Sequence, residues 1–189
     1  MSKSQENTSR QPVVAILGHV DHGKSTLLDY IHKTNVVDGE AGGITQGISA
    51  YEATVNGRQM TFIDTPGHEA FQHMRERGVE IADIAILVVS AEDGVKTQTL
   101  QAFKAISDRN IPYIVAINKI DKAGADIERV KLNLVENGIY LEGLGGDIPF
   151  VPISAKAGTN IDELLENILL INDMNAKPYD AKSEATGQV

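Results

Sequence analysis

The chain has no cysteine and no tryptophan, and aromatic residues make up only 5 % of it. Without cysteine there can be no disulfide framework and no thiolate metal site. With so few aromatics, aliphatic side chains must fill the core, drawn from a hydrophobic fraction of 42 %. No apolar run approaches the roughly 18 residues that a membrane span needs, so no membrane partner is expected. Residues 1–11 are polar and lack the apolar stretch of a signal peptide, which makes a cytoplasmic protein the expectation. Positive charge is scarce as well. Seventeen Lys and Arg against 26 Asp and Glu leave a net charge of −9. Phosphate neutralisation dominates nucleic-acid affinity, so the domain should bind DNA or RNA poorly in general, and no DNA partner is expected. RNA would have to be met through a local patch or another domain.

What the chain does have is alternation. Its 189 residues suit one domain with a tail, and there is no internal repeat. "PVVAIL" (12–17) reads as a strand buried on both faces and "KSTLLDYIHKT" (24–34) as a helix. Residues 35–49 carry Gly39, Gly42, Gly43 and Gly47 without any periodicity, the mark of a long functional loop. "AYEATV" and "QMTFID" flank Asn56-Gly57, a hairpin signal, so these two strands should pair antiparallel. A helix is expected from His68 to about Gly78. It is followed by strand 83–90, helix 97–109, strand 112–118, helix 126–137 stopped by Gly138, strand 148–153 and helix 161–172. The expected fold is α/β, a six-stranded, mostly parallel sheet with one antiparallel strand, flanked by five helices. Residues 1–11 are expected to be a disordered segment, 12–172 the folded domain, and 173–189 a linker or the start of a following domain. The chain is expected to be a fragment and to act as a monomer.

"GHVDHGKS" (18–25) fits G-x-x-x-x-G-K-[ST] between a strand and a helix, the context that a phosphate loop requires and the signature of a P-loop NTPase. Gly18 permits the tight exit from the strand, and Gly23 lets backbone approach phosphate. The loop N–H groups of His19, Val20, Asp21, His22 and Gly23, with Thr26 just beyond, then face the anion at a helix N-terminus. Lys24 should reach the β- and γ-phosphates. Ser25 should ligate Mg²⁺, a hard cation suited to a hydroxyl oxygen. His19 and His22 have H-x-x-H spacing, but a loop wrapped around phosphates does not present both from one rigid face, which opposes zinc. Asp21 is either a solvated carboxylate or a ligand holding a monovalent cation (K⁺) against the phosphates.

"NKID" (118–121) and "SAK" (154–156) each follow a strand. Asp121 can accept from the N1–H and 2-amino groups of guanine. Asn118 can contact the O6/N7 edge, the Lys119 stem can cover the ring, and the Ala155 N–H between Ser154 and Lys156 can meet O6. Adenine offers no such pair of donors, and a buried carboxylate left unpaired is costly, so GTP or GDP is favoured over ATP. In "DTPGH" (64–68), Asp64 should hold Mg²⁺ through a water. Thr65 and Pro66 form the turn, and the Gly67 N–H should sense the γ-phosphate. Thr45 in "GGITQG" supplies a hydroxyl for the metal and a carbonyl for the attacking water, in a loop that orders and releases as a nucleotide switch. His68 lies where it can orient water and, when charged, stabilise the phosphoryl group. His32 and His73 lie in ordinary helical context. No arginine occurs between Asn35 and Ser49, where some GTPases carry one. An arginine finger is worth roughly 10³–10⁵ in rate, so hydrolysis should be slow until a partner rearranges the site.

"GHVDHGKST", "GGITQ", "DTPGHEAF", "NKIDK", "GGDIPFVPISAKAG" and "IDELLENILL" together resemble the GTP-binding domain of bacterial-type translation initiation factor 2, over about residues 12–172. "DTPGH" is shared by translational GTPases generally, whereas "GGITQ" with "DTPGHEAF" and "GGDIPFVPISAK" points to the initiation factor. The resemblance implies that His68 is the catalytic residue, activated at the large-subunit RNA of the ribosome. It implies that Val20 and Ile44 form an apolar gate that holds the histidine back, and that initiator tRNA is bound through domains absent here. Two departures stand out: Gly47-Ile48-Ser49 replaces the usual His-Ile-Gly, and Ser25 replaces the commoner threonine. Two other functions are compatible with parts of the pattern. One is an elongation-factor-like translational GTPase, disfavoured by "EAGGITQ". The other is a nucleotide-gated binding module with incidental hydrolysis, disfavoured by His68 and Thr45.

Overall fold

The computed structural model describes residues 11–35, 49–64 and 78–175. Six strands form one sheet: β1 (Val13–Gly18), β2 (Ser49–Val55), β3 (Arg58–Asp64), β4 (Ile84–Ser90), β5 (Tyr113–Asn118) and β6 (Phe150–Pro152). Among the described residues four helices of ten or more residues accompany them: α1 (Lys24–Asn35), α2 (Thr97–Asp108), α3 (Ile127–Glu136) and α4 (Ile161–Asn175). The sheet order is β2-β3-β1-β4-β5-β6. Only β2 and β3 pair antiparallel, as the hairpin signal predicted. The other pairs are parallel, so β1, β4, β5 and β6 all end at one edge.

The strands are buried on both faces because alternate residues face different helix layers. Val14, Ile16, Ile86 and Val88 pack with Leu27 and Ile31 of α1 and with Leu165 and Ile168 of α4. Ala15, Leu17, Leu87 and Val89 pack on the opposite face with Ala102 and Ile106 of α2 and with Val130 and Leu134 of α3. Among the largest fully buried side chains of the described residues only Phe62 is aromatic. The core is therefore aliphatic, as the composition requires, each buried Leu or Ile contributing about 1.5–3 kcal/mol.

The hairpin turn has φ of 50° at Asn56 and 77° at Gly57, the pair of positive values a two-residue primed turn demands. Asp126 caps α3 rather than belonging to it, its side chain accepting from the Arg129 N–H, and Gly138 (φ 82°) lies just past its end. Three further boundaries differ from expectation by more than one residue. β6 is three residues long, not six: Ile148 bridges Leu141 instead of β5, and Pro149 and Pro152 offer no N–H to a ladder. α4 runs to Asn175, three residues beyond Asn172, which is itself buried on the helix. Residues 78–81 are helical, so Gly78 does not end helical structure there. The expected loop 35–49, apart from its two ends, and the greater part of the expected helix from His68 lie outside the described residues.

Candidate nucleotide-binding site

The shared strand edge carries every predicted site residue that the structure describes. β1 ends at Gly18, whose φ of 147° and close pairing with Val88 leave no room for a Cβ beside the Val88 carbonyl. The chain then turns through His19 to Gly23 before α1 begins at Lys24. Asp21 takes a positive φ of 62° and is exposed. Val20 is half-buried, its N–H donating to Gln98 Oε1 at 2.9 Å. Lys24 is buried, and its Nζ folds back across the loop to donate to the His19 carbonyl at 2.7 Å. That closed ring of backbone, with an ammonium lying over it, is the form a phosphate cradle takes. Ser25 and Thr26 are exposed in the first turn of α1.

The second half of the site is built at the ends of β5 and β6. Asn118 is 2 % exposed and both ends of its amide are engaged. Its Nδ2 donates to the His22 carbonyl at 2.8 Å, and its Oδ1 accepts from the Ala155 N–H at 3.0 Å. One side chain thus ties the phosphate loop to both base motifs. Asp121 is exposed, and the Ser154 hydroxyl donates to its Oδ1 at 2.7 Å. That bond, foremost, holds its carboxyl below the usual carboxylate range, with Lys122 and Lys156 adding to the effect. Asp121 therefore stays charged and fixed, an acceptor ready for a pair of donors. Lys119 has a φ of 67° and its Nζ lies 3.8 Å from Asp93. Lys156 is exposed, and its charge acts on Asp121.

Four contributors escaped the sequence. Gln98 holds Val20. Asp93 faces Lys119, and hydrogen bonding to Ser90 is the main reason its carboxyl sits below the usual range. Ser90 itself accepts the Glu92 and Asp93 N–H groups, both at 3.2 Å. Val88 meets the His22 ring. For Ser90 and Asp93 the only signal was the position of "SAEDG" (90–94) at the end of β4 on the same sheet edge; Val88 and Gln98 had none. His19 and His22 stack edge to face with centroids 5.0 Å apart, and burial pushes His22 down to about 4. Among the described residues no three His, Asp or Glu gather as a metal set. His32 packs edge-on against Tyr51 at 5.6 Å. Asp64 ends β3 opposite Ile16, but its side chain, with Thr45, Thr65, Pro66, Gly67, His68 and His73, lies outside what the structure describes.

A sheet with a phosphate loop at β1 and a carboxylate-bearing rim at β5 defines a P-loop nucleotide-binding protein. The elongation factor Tu GTP binding domain model matches residues 32–173, so the chain belongs to that family and binds guanine nucleotide. It is 54 % identical over 184 residues to the chloroplastic translation initiation factor IF-2 of Rhodomonas salina, covering 95 % of this chain and 24 % of that protein. It is 58 % identical over 170 residues to translation initiation factor IF-2 of Syntrophomonas wolfei, covering 90 % and 19 %. The resemblance read from the motifs is thus borne out, and the chain spans about a fifth to a quarter of the length of these curated relatives. Among solved structures, translation elongation factor SelB of Methanococcus maripaludis with the GTP analogue GPPNHP superposes with a TM-score of 0.72 at 30 % identity, over 92 % of this chain and 36 % of that one. GDP-bound aIF5B of Aeropyrum pernix gives 0.62 at 34 %, over 88 % and 36 %.

Proposed function

We propose that this chain is the GTP-hydrolysing switch of a translation initiation factor, residues 12–172 forming the domain and the ribosome accelerating it. The observation that carries the proposal is Asn118, which joins the phosphate loop and the guanine rim into one bonded unit beside a fixed carboxylate. Identities of 54 % and 58 % to initiation factors, against 30 % to an elongation factor, favour the initiation step.

In this proposal Asp121 accepts from guanine N1–H and the 2-amino group, and the Lys119 stem covers the ring. The phosphate loop N–H groups and Lys24 hold the β- and γ-phosphates. The donors fit magnesium: an exposed Ser25 hydroxyl at the head of α1 and the Thr45 hydroxyl as oxygen ligands, with Asp64 holding the ion through a water. A bound magnesium ion would neutralise charge on the phosphate oxygens. Asp21, an exposed carboxylate on a positive-φ turn, suits a monovalent cation such as K⁺. The Thr45 carbonyl and His68 orient a water. Its oxygen bonds to the γ-phosphorus as the bond to the bridging oxygen breaks, leaving GDP and phosphate. Large-subunit RNA phosphate would favour both the productive pose and the charged form of His68. Initiator tRNA would be held by other parts of the full protein. The domain would act as a monomer in the cytoplasm.

The test is single-turnover GTP hydrolysis by the full-length factor, with and without ribosomes. His68→Ala should leave GTP and GDP affinity nearly intact, since no binding contact above uses His68. It should cut ribosome-stimulated hydrolysis by about 10²–10⁴-fold, the usual worth of a positioned acid–base group. Equal stimulation of variant and wild type would remove His68 from the mechanism.

A further inference from the structure

The phosphate-loop motif leaves position 22 open to any residue, yet the structure specifies it closely. His22 is 1 % exposed. Its ring Nδ1 lies 3.3 Å from the Val88 carbonyl and 3.3 Å from the Ser90 N–H. Gly18↔Val88 is the last register pair between β1 and β4, and β1 turns away there. The imidazole therefore occupies the place of the next rung. It donates to Val88 or accepts from Ser90 according to its tautomer, and it covers two polar groups that the departing strand leaves behind.

The backbone of the same residue is held from another strand. Its carbonyl accepts from Asn118 Nδ2 at 2.8 Å. Peptide units are planar and trans, so a carbonyl aimed at Asn118 turns the Gly23 N–H the opposite way. Gly23 follows with φ of 89° and no space for a Cβ against Asn118 Nδ2. His22 is thus pinned twice, by its ring on β4 and by its carbonyl on β5, directly before the N–H groups that open α1.

We propose that His22 is a positioning residue for phosphate: its Nδ1, docked on the end of β4, holds the loop so that the Gly23 and Lys24 N–H groups meet the β-phosphate of a guanine nucleotide. This rests on the guanine-nucleotide assignment of the site.

Asparagine and glutamine separate the geometry from mere bulk. Asparagine puts a polar atom where Nδ1 stands, whereas glutamine places its own one atom further out, nearer the position of Nε2. The Nε2 atom makes no hydrogen bond within the described residues. GDP and GMP affinities would be measured for the 189-residue chain and for His22→Asn, His22→Gln and His22→Leu, with GMP read by competition. Losing one such contact should weaken GDP binding about tenfold in the Gln and Leu variants. GMP, which has no β-phosphate, should change less than about twofold, and His22→Asn should stay within about threefold of the unsubstituted chain. If the Leu variant does not fold, the Asn–Gln pair still decides. Equal losses for GDP and GMP, or a Gln variant as good as Asn, would overturn the proposal while leaving the nucleotide site standing. No GDP binding by the unsubstituted chain would overturn both.

Discussion

The phosphate loop, at the ends of β1 and α1, and the guanine rim, at the ends of β5 and β6, share an edge but are held by different chemistry. On the phosphate side the fixing groups are buried and, the Lys24 ammonium apart, neutral: the His22 ring against β4, the Asn118 amide on the His22 carbonyl, and two glycines with no space for a side chain. On the base side the recognising group is an exposed, charged carboxylate steadied by one hydroxyl. The difference follows from the ligand. A phosphate already carries the charge, so N–H dipoles in rigid array, with the single ammonium of Lys24, suffice to meet it. Guanine is neutral and presents two donors, so a charged acceptor there makes the stronger, more selective bonds. It follows that damage on the two sides should read differently against nucleotides that share a base and differ in phosphate number.

The largest effect should come from Asp121→Asn. Two bonds to a charged acceptor are lost, so GDP affinity should fall by about 10²-fold or more. Xanthine carries an oxygen where guanine has its amino group, so XDP should become the preferred ligand. Competition binding decides this, and a variant that still prefers GDP would show that the base rim has been misassigned.

The motifs disclosed the nucleotide, but not how its site is held together. Glycine, lysine and hydroxyl spacing made Gly18, Gly23, Lys24 and Ser25 readable, because backbone approach to phosphate admits few alternatives. The two-faced strands were readable because "PVVAIL" and "DIAILVVS" have no polar phase. Asn118 was read as a base contact. Its grip on the His22 carbonyl depends on a separation of 96 residues that no local pattern encodes. The same holds for Gln98 on Val20, 78 residues away. β6 was read too long because apolar composition counted for more than the two prolines that interrupt its ladder.

A second consequence of the comparison is a difference in acid sensitivity. Burial holds His22 near 4 against a usual 6.5, with Lys119 and His19 opposing its charge and Asp93 favouring it. At pH 7 the ring is mostly neutral whether the chain is folded or not. Below about 6.5 the unfolded chain takes up a proton that the folded chain refuses until about 4, so stability is full above that window and lost as pH falls through it. Between pH 7 and pH 5 this amounts to about 2 kcal/mol. Asp121, whose carboxyl is held below its usual range, adds nothing there, since it is charged in both states above about pH 5. Urea unfolding at the two pH values should therefore show a smaller drop for His22→Asn than for the unsubstituted chain, by about that amount. An unchanged drop would mean that the buried ring is not what makes the phosphate side acid-sensitive.

The smallest effect should come from Ser154→Ala, and it separates the two sides most cleanly. Ser154 is fully buried, donates to Asp121 and accepts the Ala157 N–H at 3.1 Å. Without the hydroxyl, the exposed carboxylate keeps its charge and finds water instead, but it is no longer held in place, and the Ala157 N–H loses its acceptor. The net cost of one such bond is about 1 kcal/mol, or about fivefold in affinity. Because the loss falls on the base, GMP, GDP and GTP should all weaken by the same factor. A phosphate-side change such as His22→Leu should instead spare GMP. Isothermal titration with GDP and GTP, and competition with GMP, gives the three ratios. If Ser154→Ala weakened GDP and GTP but left GMP alone, the Asn118 bridge would be transmitting base-side damage into the phosphate loop, and the two halves would have to be treated as one.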